Sequence, residues 1–241
     1  MTRILSIALA YALLAVPAFA EFPTTPVLDD FNRANENPLS TAGSWGASIL
    51  SGMHGTFKLV SNAIQDDSAA DGSSSGQAYR DDQNYGPGVE AYVTILNPWA
   101  NNASDFWFFV HGRSEGSSAV DGYMAVAYYT SGTWYYKVQR LDNEVATELT
   151  PSAEAGPTLA NGDKLGIEAT AAGVFTWYYK PAAGAWGPAS GVSTRSDSTY
   201  TSGHIGVSKG FNDTTSTLDD FGGGNIVAST LKRFLLLGVG Q

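Results

Sequence analysis

The segment Asp105-Phe106-Trp107-Phe108-Phe109-Val110-His111-Gly112-Arg113 gathers the most suggestive chemistry in the chain. Run as a β-strand, it sends Trp107, Phe109, His111 and Arg113 to one face and Phe106, Phe108 and Val110 to the other. The second set is core. The first combines flat apolar rings, which suit the C–H face of a sugar, with an imidazole and a guanidinium that can donate to hydroxyls. The same pattern also arises if Trp107 and Phe109 are buried under a loop, with His111 and Arg113 at a solvated edge. Residues 123–129 offer Tyr123, Ala125, Ala127 and Tyr129 on one side, where the small residues between the rings would leave a groove. Residues 133–141 offer Tyr135, Lys137 and Gln139 opposite Trp134, Tyr136, Val138 and Arg140. The candidate ligand contacts are therefore Trp107, His111, Arg113, Tyr123, Tyr129 and Lys137. Aromatics at a period of two also serve as core or as cross-strand pairs, so this reading has a structural rival.

Other chemistry is thinner. Leu28-Asp29-Asp30-Phe31 returns as Leu218-Asp219-Asp220-Phe221 near the other end. If those two stretches lie side by side, Asp30 and Asp220 with their neighbours could offer hard oxygen ligands to Ca²⁺. The alternative is that these carboxylates are exposed or accept from loop N–H groups. His54, His111 and His204 are too scattered for a zinc site, and no Gly-x-Ser-x-Gly elbow occurs. Without cysteine there is neither a thiol nucleophile nor a thiolate metal centre. No residue set forms a complete catalytic constellation.

The elements that must position these side chains read as strands. Residues 56–60, 89–96, 105–113, 123–129, 133–141, 145–150, 164–170, 174–180, 204–208 and 216–221 are rich in aromatic and β-branched residues. Ser131-Gly132 and Asp142-Asn143 lie between such runs as tight hairpin turns, and Ala171-Ala172-Gly173 joins another pair. No amphipathic helix follows the first residues. The pattern predicts an all-β, two-sheet antiparallel sandwich. Residues 66–76 and 181–191 read as surface loops, though Trp186 in the second needs cover.

The chain begins with Arg3, an apolar run over residues 4–16 and Ala18-Phe19-Ala20, the plan of a secretory signal spanning residues 1–20. Export to the extracellular space or a periplasm is the expectation, with one domain over residues 21–224. The run is shorter than a membrane span of roughly 20 residues, so no transmembrane segment is predicted. With 13 Lys and Arg against 23 Asp and Glu, the formal charge is -10, and no basic patch exists for nucleic acid. Gly222 to Gly224 reads as a flexible joint before an apolar tail, residues 225–241. That tail is either a closing segment or a docking strand for self-association.

Several of these stretches together resemble the concanavalin A-like lectin/glucanase jelly rolls, including laminin-G-like modules. The likeness is carried by Asp29-Asp30-Phe31-Asn32-Arg33-Ala34, Ser118-Ala119-Val120-Asp121-Gly122-Tyr123, Tyr135-Tyr136-Lys137-Val138, Asn161-Gly162-Asp163-Lys164-Leu165-Gly166-Ile167-Glu168, Asp197-Ser198-Thr199-Tyr200-Thr201-Ser202-Gly203-His204-Ile205-Gly206-Val207 and Leu218-Asp219-Asp220-Phe221. The resemblance implies a jelly-roll sandwich with a concave sheet. It does not carry an activity, because the fold hosts lectins, hydrolases, lyases and adhesion modules. The Glu-x-Asp-x-x-Glu of the fold's retaining glucanases is missing, and Val110-His111-Gly112-Arg113 departs in order from the alginate-lyase set. The leading expectation is a non-catalytic module binding a glycan or polysaccharide. Its rivals are a self-assembling structural subunit and a glycan-cleaving hydrolase or lyase.

Overall fold

The computed structural model describes residues 21–39, 44–46, 55–67, 76–98, 105–114, 120–209 and 216–227. In chain order the strands begin with β1 (Val27–Asp29), β2 (Trp45–Gly46), β3 (Gly55–Val60), β4 (Ala63–Asp66), β5 (Gly76–Arg80) and β6 (Val89–Ile95). The long central strands are β7 (Asp105–Ser114), β8 (Val120–Thr130) and β9 (Thr133–Asp142), followed by β10 (Val145–Glu148) and β11 (Glu154–Ala155). Then come β12 (Lys164–Ala169), β13 (Val174–Lys180), β14 (Gly187–Pro188), β15 (Arg195–Ser196), β16 (His204–Lys209) and β17 (Leu218–Asn225).

These strands form two sheets. The first runs β17–β6–β12–β13, with β1 and β4 beside β17, β3 outside β4, and the short β14 and β15 outside β13. The second runs β5–β16–β7–β8–β9, with β2 beside β5 and β10 and β11 beside β9. All pairings are antiparallel except β3–β5, a short parallel contact through which β3 joins the two sheets at a corner. The first and last strands do lie side by side, with Asp29 opposite Phe221.

Alternation drives the packing. Phe106, Phe108, Val110, Trp134, Tyr136 and Val138 of the second sheet face Val93, Ile95, Leu165, Ile167, Phe175 and Trp177 of the first. Phe108 and Tyr136 each meet Trp177 edge-on, at 5.9 and 5.3 Å between ring centroids. Fully burying one such ring is worth up to about 3 kcal/mol, so a core of this breadth holds the sandwich without disulfides. The tight turns follow the residues that tolerate positive φ. Ser131-Gly132 closes β8–β9, and Asn143-Glu144 closes β9–β10, one residue later than the sequence suggests.

The glycine run differs from the expected joint. Gly222, Gly223 and Gly224 are strand residues of β17, buried and paired with Tyr92, Ala91 and Glu90. A Cβ on Gly222 would lie 2.0 Å from the Tyr92 ring, so the position needs glycine to let that ring cross. What looks like a hinge is a seat for an aromatic side chain. Residues 228–241, with most of the apolar tail, lie outside the described residues, as do residues 1–20. No helix among the described residues is long and apolar enough to cross a membrane.

Candidate functional site

The outer face of the second sheet is built from the alternate residues of β7, β8 and β9. One register row runs Ser208–Trp107–Val126–Lys137, and the next runs Gly206–Phe109–Met124–Gln139–Glu148. A third runs Asp105–Tyr128–Tyr135–Ala155. Trp107, Phe109, Val120, Met124, Val126 and Leu141 form a second apolar cluster on this face, with Tyr79 and Tyr128 packed against it. Trp107 is 8 % exposed and Phe109 fully buried, so the middle of the face is closed. The Trp107 indole N–H is buried with no partner among the described residues. Leaving such a donor unmatched costs about 1–3 kcal/mol.

Toward β9 and β10 the same face opens. Tyr128 and Tyr135 are half-buried and stack at 5.6 Å with 22° between their planes. The Lys137 ammonium stands 5.4 Å from the centre of the Tyr128 ring and 3.7 Å from a Glu148 carboxylate oxygen. Burial, then the charge of Glu148 and that of the neighbouring Tyr135 phenol, raise the Tyr128 phenol above its ordinary value. Glu148 also accepts from the Ala153 N–H at 2.8 Å, which ties the following loop to the patch. Exposed aromatic edges, an ammonium, an amide (Gln139) and a carboxylate within three adjacent rows make a surface that can stack and hydrogen-bond a polyol at once.

The sequence-predicted residues are divided by this geometry. Trp107 and Lys137 share the outer face, two strands apart in one row. His111 and Arg113 belong to β7, beyond a register irregularity between Val110 and Arg113, and their side chains lie outside the described residues. The irregularity ends the strict alternation on which their shared face was predicted. Tyr123 faces the opposite way from Trp107. It is 1 % exposed in the sandwich interior with Ala125 and Ala127, and Tyr129 packs against the same core. The expected groove between Tyr123 and Tyr129 is filled by the facing sheet, since Tyr123 meets Phe175 at 4.6 Å. Tyr128, Tyr135, Gln139 and Glu148 were not among the predicted contacts. Alternation along residues 133–141 had already put Tyr135 and Gln139 on the side of Lys137, whereas Tyr128 depends on the one-residue offset from Tyr129 and Glu148 on the pairing of β10 with β9.

Asp30 and Asp220 do not assemble a cation site. Asp30 is exposed and accepts from the Asn32 N–H, while Asp220 accepts from Thr94 Oγ1 at 2.9 Å and from the Lys164 ammonium at 3.1 Å. Lys164 therefore holds the position beside Asp220 that a cation would take, and the donor set does not fit Ca²⁺. Asp29 is fully engaged elsewhere, accepting from Phe31 N, Arg33 Nη1 and the Trp45 indole. No group of three or more metal-ligating side chains occurs among the described residues. A cleft of about 220 Å³ lined by Ser44, Trp45, Asp81 and Asp82 lies at the β2–β5 edge.

No family model and no curated protein matches the sequence. Solved structures do match. The exoplasmic/lumenal domain of VIP36 in a Ca²⁺/Man2-bound form aligns with a TM-score of 0.54 and 12% identity, over 85% of this chain and 88% of that one. The potassium-bound Emp46p carbohydrate recognition domain gives 0.52 at 9% identity, over 85% and 98%. A legume lectin-like domain from Entamoeba histolytica gives 0.52 at 11% identity, over 80% and 96%. At these identities the likeness is one of backbone fold alone. The chain has the concanavalin A-like lectin fold.

Proposed function

We propose that this protein is an exported, non-catalytic carbohydrate-binding module whose ligand lies on the outer face of the second sheet. The observation that carries the reading is the half-open patch of Tyr128, Tyr135, Lys137, Gln139 and Glu148, continuous with the buried Trp107. Stacked rings give a flat apolar surface, and the polar groups beside them supply donors and acceptors of both kinds. Lys137 and Glu148 balance each other, which favours a neutral glycan over a polyanionic one. Among the structural neighbours, the VIP36 domain is Man2-bound and the Emp46p domain is a carbohydrate recognition domain, which supports the same class of ligand. Residues 1–20 fit the plan of a secretory signal, and export would bring the module to extracellular glycans.

The test is a glycan array together with polysaccharide pull-down, using the wild-type chain and the variants Tyr135→Ala and Lys137→Ala. Both side chains are half-exposed, so neither truncation opens the core. The expected result is binding to a neutral glycan that weakens about tenfold or more in each variant, a loss of roughly 1.4 kcal/mol. Binding that is unchanged in both variants would place the ligand elsewhere.

A further inference from the structure

The outer face of the first sheet carries a device that the glycan-binding reading does not use. Residues 21–26 cross it as a strap. Phe22, 3 % exposed, stacks on Tyr178 at 4.0 Å and 6°, and meets Trp186 and Tyr92 edge-on at 4.9 and 6.2 Å. Gly166 lies beneath it, where a Cβ would come within 2.6 Å of the Phe22 ring. Thr25 then binds Glu90 twice, its N–H and its hydroxyl both donating to Oε1 at 2.6 Å, and the Tyr92 hydroxyl donates to the Thr25 carbonyl at 2.9 Å.

Glu90 is fully buried, and its second oxygen, Oε2, has no hydrogen-bond partner among the described residues. Directly opposite on β12 is Glu168, its register partner. Side chains so paired have Cβ atoms about 4.5–5.5 Å apart, within reach of a carboxyl–carboxylate hydrogen bond. The groups facing the pair from each surrounding element are acidic, phenolic or neutral. β6 adds Tyr92, β13 adds Thr176 and Tyr178, and β17 places Gly224 against Glu90 with Asp220 farther along. The strap adds Thr25 and the exposed Glu21, and the nearest lysine on β12, Lys164, is engaged by Asp220. Two like charges side by side with no cation between them cannot both be held cheaply.

We propose that Glu90 and Glu168 share one proton, donated by Glu168 to Glu90 Oε2, and that this proton locks residues 21–26 onto the sheet. Burial first, and then the charge of Glu90, hold the Glu168 carboxyl above its ordinary value, in keeping with that arrangement. The sign follows. A raised carboxyl keeps its proton in the folded state at a pH where the free chain has lost it. The lock is therefore complete below the ordinary glutamate range and fails as pH rises through the raised value. With both groups ionised, Glu90 carries uncompensated repulsion beneath Thr25, and the strap loosens.

The experiment is hydrogen exchange of the Thr25 amide, read by NMR on the full chain from about pH 5 to about pH 8. Side-chain carboxyl carbon shifts of Glu90 and Glu168 are recorded in parallel. The expected result is a fall in Thr25 protection of about tenfold beyond the intrinsic pH effect, tracking a glutamate step above the ordinary range. Glu168→Gln keeps a permanent donor facing Glu90 and is expected to abolish the fall. A Thr25 protection independent of pH, or a fall that persists in Glu168→Gln, would overturn the proposal. If that variant does not fold, the wild-type carboxyl titration still decides: two ordinary glutamate steps would refute the shared proton.

Discussion

At one end of the sandwich, Asp197 accepts hydrogen bonds from the Tyr123 hydroxyl at 2.6 Å, the Thr199 N–H at 2.8 Å and Arg140 Nη1 at 2.9 Å. Burial opposes its ionisation, but these donors outweigh it and bring its carboxyl down to about 2. A depressed carboxylate stabilises the fold above its free-chain value near 3.8, and that contribution is lost as pH falls through about 2. Tyr123→Phe should cost about 1–3 kcal/mol in denaturant unfolding at neutral pH and should move acid unfolding to higher pH. Tyr123 also shows what the sequence could not decide. Alternation correctly grouped it with Ala125, Ala127 and Tyr129, yet a period of two does not say which group faces inward. Phe106 and Phe108 named the core side of β7, but only the register, in which Val110 opposes Tyr123, transfers that assignment to β8. Nor could the sequence show that Lys164 reaches Asp220 from a strand distant in sequence. Chelation by EDTA is accordingly expected to leave the melting temperature unchanged; a drop that calcium restores would revive a cation site.

The strands themselves were largely legible. Ten predicted runs recur within a few residues, since aromatic and β-branched residues between turn formers leave few alternatives. Ala63–Asp66 and Gly76–Arg80 were missed, as their alanines, glycine and polar residues resemble a loop; the first forms a tight hairpin with Gly55–Val60 through Ser61-Asn62, and the second pairs along its length with the distant β16. The glycine run of β17 was misread because glycine marks both hinges and close approaches. Gly222→Ala separates the two: overpacking against Tyr92 should cost about 1–3 kcal/mol in thermal or denaturant unfolding, whereas a flexible joint would tolerate it. Between the sheets, Arg195 is 1 % exposed and donates to the carbonyls of Tyr136, Pro151, Ser152 and Ser193 while pairing with Glu154. It clamps the segment after β10 to β9, next to the open patch. Arg195→Lys cannot satisfy that fork of acceptors and should loosen residues 149–156, read as faster amide exchange there with β7 and β8 unaffected.

For the whole molecule, two sheets share one interior and each keeps a different outer face. The first is covered by the strap and its aromatic slot; the second is closed at Trp107 and open at Tyr128 and Tyr135. The family resemblance in the sequence anticipated this architecture, and the solved lectin-like structures share it at the level of the backbone. Which part of the second sheet's outer face stands open was not legible, because it depends on burial that only the packed sheets establish. The proposed grip of the second sheet's open end on a neutral glycan is checked by titrating the glycan selected on an array against wild-type protein and Tyr135→Ala, with calorimetry as readout. Saturable binding to the wild-type chain and about tenfold or greater weakening in the variant are expected. Equal affinities for the two proteins would exclude Tyr135 and the open end of the sheet as the glycan's seat.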